Sequence, residues 1–252
     1  MITDSFDALS APMIELKDFY GEQNHLVHTC MILFSRELHR HLLEHFECER
    51  IAVLRSCRED IPIYRFEYQS TKIAFYLSGL GSTQASDHCV EAWWLTGAEQ
   101  FVMFGSCGSL DREKTAGKFI LPTEAYRGEG CSYYYKAPSD YITIQNCRVL
   151  SELFEQMKIP FVQGRVWTTD SMLRETCGLV QKRRGEGCIA VEMEVAGVQA
   201  VCDFYGLQLY DFLEAGDVLD GQSYEYEGLH AANHDLAKLY IGMDIAVRLG
   251  RI

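Results

Sequence analysis

The sequence predicts a single-domain α/β protein of three layers, with helices on both faces of a mixed, mostly parallel β-sheet. Two observations carry this prediction. Apolar runs of strand length alternate along the chain with segments whose apolar residues recur at helical spacing. The chain also has 252 residues, of which 48% are hydrophobic, enough to build one sizeable core. Strands that alternate with helices in this way typically pair in parallel.

Each element is predicted from its own residues. Six apolar runs are expected to be strands: TKIAFYLS (71–78), EQFVMFG (99–105), GKFILPTEAYR (117–127), PFVQGRVWTT (160–169), GCIAVEM (187–193) and LQLYDFLEAGD (207–217). Four segments have helical spacing: TQASDHCVEAWWLTG (83–97), NCRVLSELFEQMK (146–158), EVAGVQAVCDFYG (194–206) and the closing HAANHDLAKLYIGMDIAVRL (230–249). No repeat or linker tract interrupts them. One domain over residues 1–252 is therefore expected, with residues 1–28 as an N-terminal extension.

Composition excludes several classes of function. The net charge of −13 argues against a nucleic-acid partner. No apolar run approaches the roughly 18 residues of a membrane span, so no membrane partner is expected. The first residues, MITDSFDALSAPM, have neither a basic n-region nor an apolar h-region, so they do not resemble a signal peptide. A cytoplasmic protein is expected.

Cysteine and histidine patterns do not predict a metal or disulfide site. The ten cysteines include no CxxC pair, and most adjoin apolar residues, which favours buried free thiols. His41 and His45 are four residues apart and would share one helix face. The segment HRHLLEH (39–45) is not HExxH, however, and no third ligand is nearby, so a solvated helix face is the preferred interpretation. No metal is expected.

Polar motifs follow five of the predicted strands. They are SGLGS (78–82), GSCGS (105–109), TTDSM (168–172), EME (192–194) and GDVLDG (216–221). Each alone is also typical of a turn, a helix cap or a first helical turn. Together they predict one pocket, because ligand sites in such sheets lie outside the carboxyl ends of the strands. Glu192 and Glu194 lie in the apolar run AVEMEVAGVQAV, and a buried charge needs a partner.

These motifs resemble those of the nucleoside phosphorylase family, which includes uridine phosphorylase, hexameric purine nucleoside phosphorylase and the methylthioadenosine nucleosidases. VEMEVAG (191–197) resembles the family's Val-Glu-Met-Glu-x-Ala-Gly signature, FGSCGSL (104–110) its phosphate loop and LSGLGS (77–82) its Gly-x-Gly turn. SCRE around Arg58 is similar to the stretch that carries an arginine lent to the neighbouring subunit. The resemblance covers the chain from about residue 50 onwards. It implies a nucleoside phosphorylase-like fold and a homodimer or homohexamer.

The resemblance also implies roles for individual residues. Glu194 would bind the two ribose hydroxyls, with Met193 under the sugar and Glu192 lining the pocket or supporting the strand end. The implied phosphate-binding residues are Gly105, Ser106, Arg58 and Gly81, and the implied base-binding residues are Met172, Asp170 and Arg174.

Asp217 is the implied catalytic residue, because a carboxylic acid that shares its proton with purine N7 makes the base a better leaving group. Gly216 stands where relatives usually have serine, and Met172 stands where a ring-stacking aromatic is usual. Arg174 and Glu175 would either contact the edges of the base ring or be surface charges.

The acceptor of the ribosyl group is open on the sequence. Met103 stands where the family's loop arginine would be, and no N-terminal phosphate motif is recognisable in MILFSRELHR (31–40). Either other arginines compensate, with Arg36, Arg40 and Arg65 as candidates, or water replaces phosphate, with Glu37 in the place of the nucleosidase glutamate. The alternative for Glu37 is an exposed helix residue.

Three hypotheses follow, in this order. The first is a phosphorylase that cleaves a purine nucleoside, with inorganic phosphate as co-substrate and no cofactor. The second is a phosphate-independent nucleosidase. The third is a nucleoside-binding protein that has lost turnover.

Overall fold

Ten strands form one mixed sheet in the computed structural model, which describes residues 1–57, 59–220 and 223–250. The strands are β1 (Thr29–Leu33), β2 (Glu49–Leu54), β3 (Ile61–Tyr68), β4 (Thr71–Leu77), β5 (Gln100–Ser109), β6 (Phe119–Gly128), β7 (Tyr141–Thr143), β8 (Phe161–Thr169), β9 (Cys188–Glu192) and β10 (Gln208–Val218). The α-helices in these residues are α1 (Leu16–Tyr20), α2 (Arg36–His45), α3 (Ser82–Thr96), α4 (Arg112–Thr115), α5 (Ser132–Tyr135), α6 (Cys147–Met157), α7 (Cys177–Gly185), α8 (Val195–Tyr205), α9 (Leu229–Asn233) and α10 (Leu236–Leu249). Short 3₁₀ helices span Ile2–Asp4 and Met172–Arg174.

The sheet closes into a ring on one side. β5 pairs with β10, β10 with β6, β6 with β8, β8 with β9, and β9 returns to β5. From β5 an open arm runs through β1, β4, β3 and β2. Parallel and antiparallel pairings both occur, and the two longest ladders, β5 with β10 and β6 with β8, are parallel. The predicted α/β fold with a mixed sheet is confirmed.

Apolar side chains pack on both faces of the sheet. In β5, Phe101 and Met103 point to the face that α3 and α8 cover, while Val102 and Phe104 point to the face that α2, α6 and α10 cover. This alternation is the two-residue period of a strand, so β5 contributes side chains to the apolar cores on both faces of the sheet. The structure therefore has the three layers that the sequence predicts.

The boundaries of two elements differ from the prediction. β5 runs on to Ser109, so GSCGS continues the strand rather than forming a loop after it, because residues 105–109 pair with β10 and the last two also pair with β9. The closing segment is two helices, since the chain breaks at His234 and the Asp235 carboxylate caps α10 by accepting the Ala237 N–H at 2.9 Å. Strands β1, β2, β3 and β7 were not predicted.

The cysteines and the paired histidines of α2 lie as their sequence patterns predict. All ten cysteines are free thiols and most are buried, as predicted. His41 and His45 stack with ring centroids 4.0 Å apart on one face of α2, which confirms the shared face. Within the described residues, no helix has the length and apolarity that crossing a bilayer requires.

We predict that Gly197→Ala destabilises the protein by about 1–3 kcal/mol, because a methyl group there overpacks the contact between α3 and α8. A Cβ at Gly197 would lie 2.7 Å from the Ser82 Cβ, a distance that forces one helix to shift. Denaturant unfolding measures the change. Gly178→Ala, where nothing lies within 4 Å, is the matched control and is expected to stabilise α7 by about 0.5–1 kcal/mol. Equal effects of the two substitutions would contradict the packing explanation.

Candidate active site

Glu192 is a buried carboxyl group that fixes the start of α8. It is the last residue of β9 and is 5% exposed. Its Oε2 accepts the backbone N–H groups of Glu194 at 2.6 Å and Val195 at 2.7 Å, and its Oε1 hydrogen-bonds the Thr168 hydroxyl. Burial, and then the charge of Glu194, raises its pKa to about 8. These contacts hold Glu192 in the protein interior, supporting the strand end.

Glu194 is held by a contact between distant parts of the chain. Its Oε1 accepts the Gly81 backbone N–H at 2.7 Å, and the Ser82 hydroxyl donates to the Met193 carbonyl at 2.9 Å. Gly81 has a φ of +90°, a conformation that favours glycine. The end of β4 is thereby attached to the end of β9. The Gly81 N–H, an implied phosphate ligand, is directed at Glu194 in this structure.

One cavity of about 470 Å³ brings together the predicted Gly105, Ser106 and Glu194. Its lining residues are Phe34, Ser35, Arg36, Glu37, Leu38, Leu80, Phe104, Gly105, Ser106, Glu194, Asn233, His234 and Lys238. The Ser106 hydroxyl donates to Asn233 Oδ1 at 2.5 Å. A side-chain hydroxyl and a carboxylate therefore line the same cavity, although they come from different strand ends.

The cavity contains charges of both signs. Burial raises the pKa of Glu194 above its usual range. Burial lowers the pKa of Lys238, which bonds the Ala232 carbonyl oxygen and lies 3.2 Å from a carboxylate oxygen of Glu214. Of the three arginines proposed to compensate for Met103, Arg36 lines the cavity.

The other two proposed arginines are paired with acids elsewhere. Arg40 lies 3.8 Å from Glu44, and Arg65 lies 2.5 Å from Glu49. Met103 is itself 1% exposed and packs in the core between the sheet and α3 and α8.

Asp217 is not among the residues that line this cavity, and a second acid, Glu175, interacts with it. It follows an irregularity of β10 and is opposite Gly108 of β5. Burial raises its pKa, and the Tyr224 hydroxyl hydrogen-bonds it. Burial, and then the charge of Asp217, raises the pKa of Glu175 to about 7. Asp217 and Glu175 therefore each favour the protonated form more than an exposed carboxyl group does.

The implied base-binding residues are not among those that line the cavity. Met172 is 62% exposed on the second 3₁₀ helix, where Arg174 is exposed as well. The Asp170 carboxylate accepts the Gly130 backbone N–H at 3.0 Å. Arg58, the implied lent arginine, lies outside the described residues.

Several cavity residues were missed by the sequence analysis. Asn233, His234 and Lys238 all lie in the closing segment that was expected to be one amphipathic helix. The sequence feature that could have indicated them is Lys238, a lysine among the apolar residues of α10. Gly216 is explained by the same segment, since a Cβ there would lie 3.0 Å from both the Ala232 Cβ and the Leu229 Cα. A larger residue at 216 would push α9 away from β10.

Known proteins resemble this chain in both sequence and fold. A family model described as the phosphorylase superfamily matches residues 31–232. The chain is 25% identical over 174 residues to a 5′-methylthioadenosine/S-adenosylhomocysteine nucleosidase from Buchnera aphidicola subsp. Schizaphis graminum, covering 65% of this chain and 74% of that protein. It is 27% identical over 164 residues to a guanosine phosphorylase from Halorubrum lacusprofundi, covering 64% and 67%.

The fold is also similar to solved structures. An AMP nucleosidase from Bacteroides thetaiotaomicron superposes with a TM-score of 0.67 at 19% identity, covering 90% of this chain and 89% of that one. A futalosine hydrolase of Helicobacter pylori superposes with a TM-score of 0.67 at 16% identity, covering 87% and 98%. At these identities the likeness concerns the fold.

We predict that Glu192 makes the protein less stable as the pH rises. Its pKa is about 8 in the folded chain and its ordinary value is 4.5, so between these values the folded state keeps a proton that the unfolded chain has released. Stability from this group is complete below pH 4.5 and is lost as the pH rises to about 8. Glu192→Gln keeps both backbone hydrogen bonds and removes the titration.

Free energies of unfolding at pH 5 and pH 8 measure this effect. The decrease between the two is expected to be smaller for Glu192→Gln than for the unsubstituted chain. The exposed Glu113→Gln is the control and keeps the full decrease. The same decrease in all three proteins would show that Glu192 is ionised when folded.

Proposed function

The chain belongs to the phosphorylase superfamily, and on that premise we propose that it cleaves the N-glycosidic bond of a purine nucleoside with inorganic phosphate. The products would be the free base and ribose 1-phosphate. The observation that carries this proposal is the single cavity lined by Gly105, Ser106 and Glu194. It provides donors for an anion beside an acceptor for sugar hydroxyls.

The ribose is assigned to Glu194. Gly81 fixes one of its carboxylate oxygens, and the side chain lines the cavity, where two vicinal hydroxyls could donate to the carboxylate. When the glycosidic bond breaks, positive charge develops on the ribose. A carboxylate held in place before the reaction stabilises that charge without reorganising.

The phosphate is assigned to the cavity residues Arg36 and Ser106. Arg36 supplies positive charge, because the Lys238 ammonium is already held by the Ala232 carbonyl oxygen and Glu214, and the Ser106 hydroxyl adds a polar contact. A guanidinium group binds phosphate through forked N–H donors, so Arg36 would replace the arginine that is absent at position 103.

The base is assigned to Asp217. The carboxyl group needs a proton to support a purine leaving group at N7, and burial raises its pKa in that direction. Gly108 pairs with Asp217, and a Cβ at that position would lie 2.5 Å from Leu219 Cδ1, so the glycine allows Leu219 to pack against β5 next to the carboxyl group. Gly108 follows Ser106 by two residues on β5, so Asp217 lies opposite a position two residues along the strand from the cavity residue Ser106.

Hydrolysis is the second candidate, and Glu37 favours it. Glu37 lines the cavity, where a carboxylate could activate water but would repel phosphate. The Gly81 N–H is engaged by Glu194, which removes one anion donor. Similar proteins include a nucleosidase in sequence and an AMP nucleosidase in fold.

We expect base release from purine nucleosides to require phosphate. The measurement uses a panel of purine and pyrimidine nucleosides, with inorganic phosphate present or removed, and quantifies free base and ribose 1-phosphate. Release of ribose without phosphate would contradict phosphorolysis and support hydrolysis. Nucleoside binding without release in either condition would contradict both and identify a binding protein.

Asp217→Asn is expected to lower kcat by about 10²–10⁴-fold, because asparagine keeps the shape of the side chain but supplies no carboxyl proton. The free energy of unfolding should change little. Steady-state kinetics on the best purine substrate measures the effect, with Asp220→Asn, an acid two residues past β10, as the control. An unchanged kcat in Asp217→Asn would remove this residue from the mechanism.

A further inference from the structure

Two histidines and a glutamate meet beside the cavity, and two of the three, Glu37 and His234, line it. Glu37 comes from the first turn of α2, His230 from α9, and His234 directly follows α9. One potential ligand atom from each side chain lies within 4.8 Å of the others. Among the described residues this is the one such group of three. His230 and His234 are four residues apart, a spacing that puts two imidazoles on the same side of a helical turn.

His234 is oriented as a metal ligand would be. Its Nδ1 hydrogen-bonds the Ser35 hydroxyl oxygen at 2.7 Å, and that oxygen also accepts the Leu38 N–H at 3.2 Å as the N-cap of α2. The ring is thereby fixed with its Nε2 facing Glu37. In metal sites, a hydrogen bond on the ring nitrogen that does not bind the ion fixes the orientation of the histidine, and here the bond between Nδ1 and Ser35 has that place.

The spacing fits an ion better than a direct contact. His234 Nε2 and Glu37 Oε1 are 3.8 Å apart, which is too long for a hydrogen bond. Two ligand atoms that each lie about 2.0–2.2 Å from one ion can be separated by up to about 4.4 Å. The Glu37 and His230 side chains are exposed, so small rotations of their side chains close the remaining distance.

We propose that Glu37, His230 and His234 bind a divalent transition-metal ion of the Zn²⁺ class. Imidazole and carboxylate are ligands that such ions accept, and three protein ligands leave a position open. Glu37 and His234 line the cavity with Ser106, so an ion held by these residues lies at the edge of that cavity. The open position takes an oxygen ligand, either water or a phosphate oxygen. This inference rests on the ligand geometry and not on the proposed activity.

The packing of α9 brings the ligands together. Gly216 lets α9 pack close to β10, because a Cβ at position 216 would lie only 3.0 Å from the Ala232 Cβ and the Leu229 Cα. Asn233 of α9 is hydrogen-bonded to Ser106 of β5. The first contact sets the distance of α9 from the sheet, and the second sets its position along β5. His230 and His234 are then carried to the N-terminus of α2, where Glu37 lies.

The test is titration of the chelator-treated full chain with Zn²⁺ in competition with a chromophoric chelator. The background is Cys57→Ser/Cys177→Ser, because these are the exposed thiols and would bind zinc adventitiously. One ion per chain is expected. His230→Ala and Glu37→Gln should each weaken binding by about 10-fold or more, and both residues are exposed, so folding should be retained. His41→Ala/His45→Ala, the other pair at this spacing, is the matched control and should bind like the background protein.

Three results would overturn the site. The first is the absence of stoichiometric zinc in the background protein. The second is equal binding by the background protein and by both His230→Ala and Glu37→Gln. The third is a loss of binding in the His41→Ala/His45→Ala control alone.

Co²⁺ absorption then reports the open position. A spectrum that shifts with inorganic phosphate assigns the position to phosphate oxygen. A shift with azide but not with phosphate assigns it to water, and no shift with either overturns the open position. No nucleoside is present in these measurements, so their failure is distinct from failure of the proposed function.

Discussion

The hydrogen bond from Gly81 to Glu194 is the contact on which the candidate site depends. It joins residues 113 positions apart and attaches the carboxyl end of β4 to the start of α8. A carboxylate removed from water is unfavourable without such a donor, so the contact both satisfies Glu194 and fixes its position. Glu192 fixes the same start of α8, because its carboxylate accepts the backbone N–H groups of Glu194 and Val195. The close approach of α3 and α8 at Gly197 then keeps the two helix starts together.

Carboxyl groups dominate the interior around this contact. Burial raises the pKa of Glu192, Glu194 and Asp211, and the Asp211 oxygens have no hydrogen-bond partner among the described residues. Of these three groups only Glu194 lines the cavity, and its ionised form suits a reaction in which the ribose becomes positively charged. The same negative charge is unfavourable for a phosphate in that cavity. The balance of cations at the cavity therefore decides which acceptor the site can hold.

The sequence predicted those features that depend on local pattern. The strands around β4, β5, β6, β8, β9 and β10 have apolar runs of the right length, and the helices that follow them have clear periodicity. β1, β2, β3 and β7 were not predicted, and the break before α10 was hidden because the apolar spacing continues across Asp235. Gly105, Ser106 and Glu194, which the family motifs single out, line one cavity in the structure. They gave no distances for Asp217, Met172 or Arg174, because motif position does not specify how loops pack. The contribution of Glu37, His230 and His234 depends on segments almost 200 residues apart, which no local pattern joins.

Alternation in β5 explains why the cavity must obtain its cations elsewhere. Met103 faces the core under α3 and α8, where an arginine would lose its water without gaining a partner. Arg36 and Lys238 reach the cavity from α2 and α10 instead, but Lys238 is already compensated by Glu214 at 3.2 Å. Glu37 then opposes Arg36, and an incoming phosphate meets little net positive charge. A divalent ion on Glu37, His230 and His234 would reverse this, because it converts Glu37 from a repelling carboxylate into a ligand and adds positive charge beside Ser106. An ion at this position would add to the positive charge that Arg36 offers a phosphate, and the choice of acceptor follows the balance between these cations and Glu37.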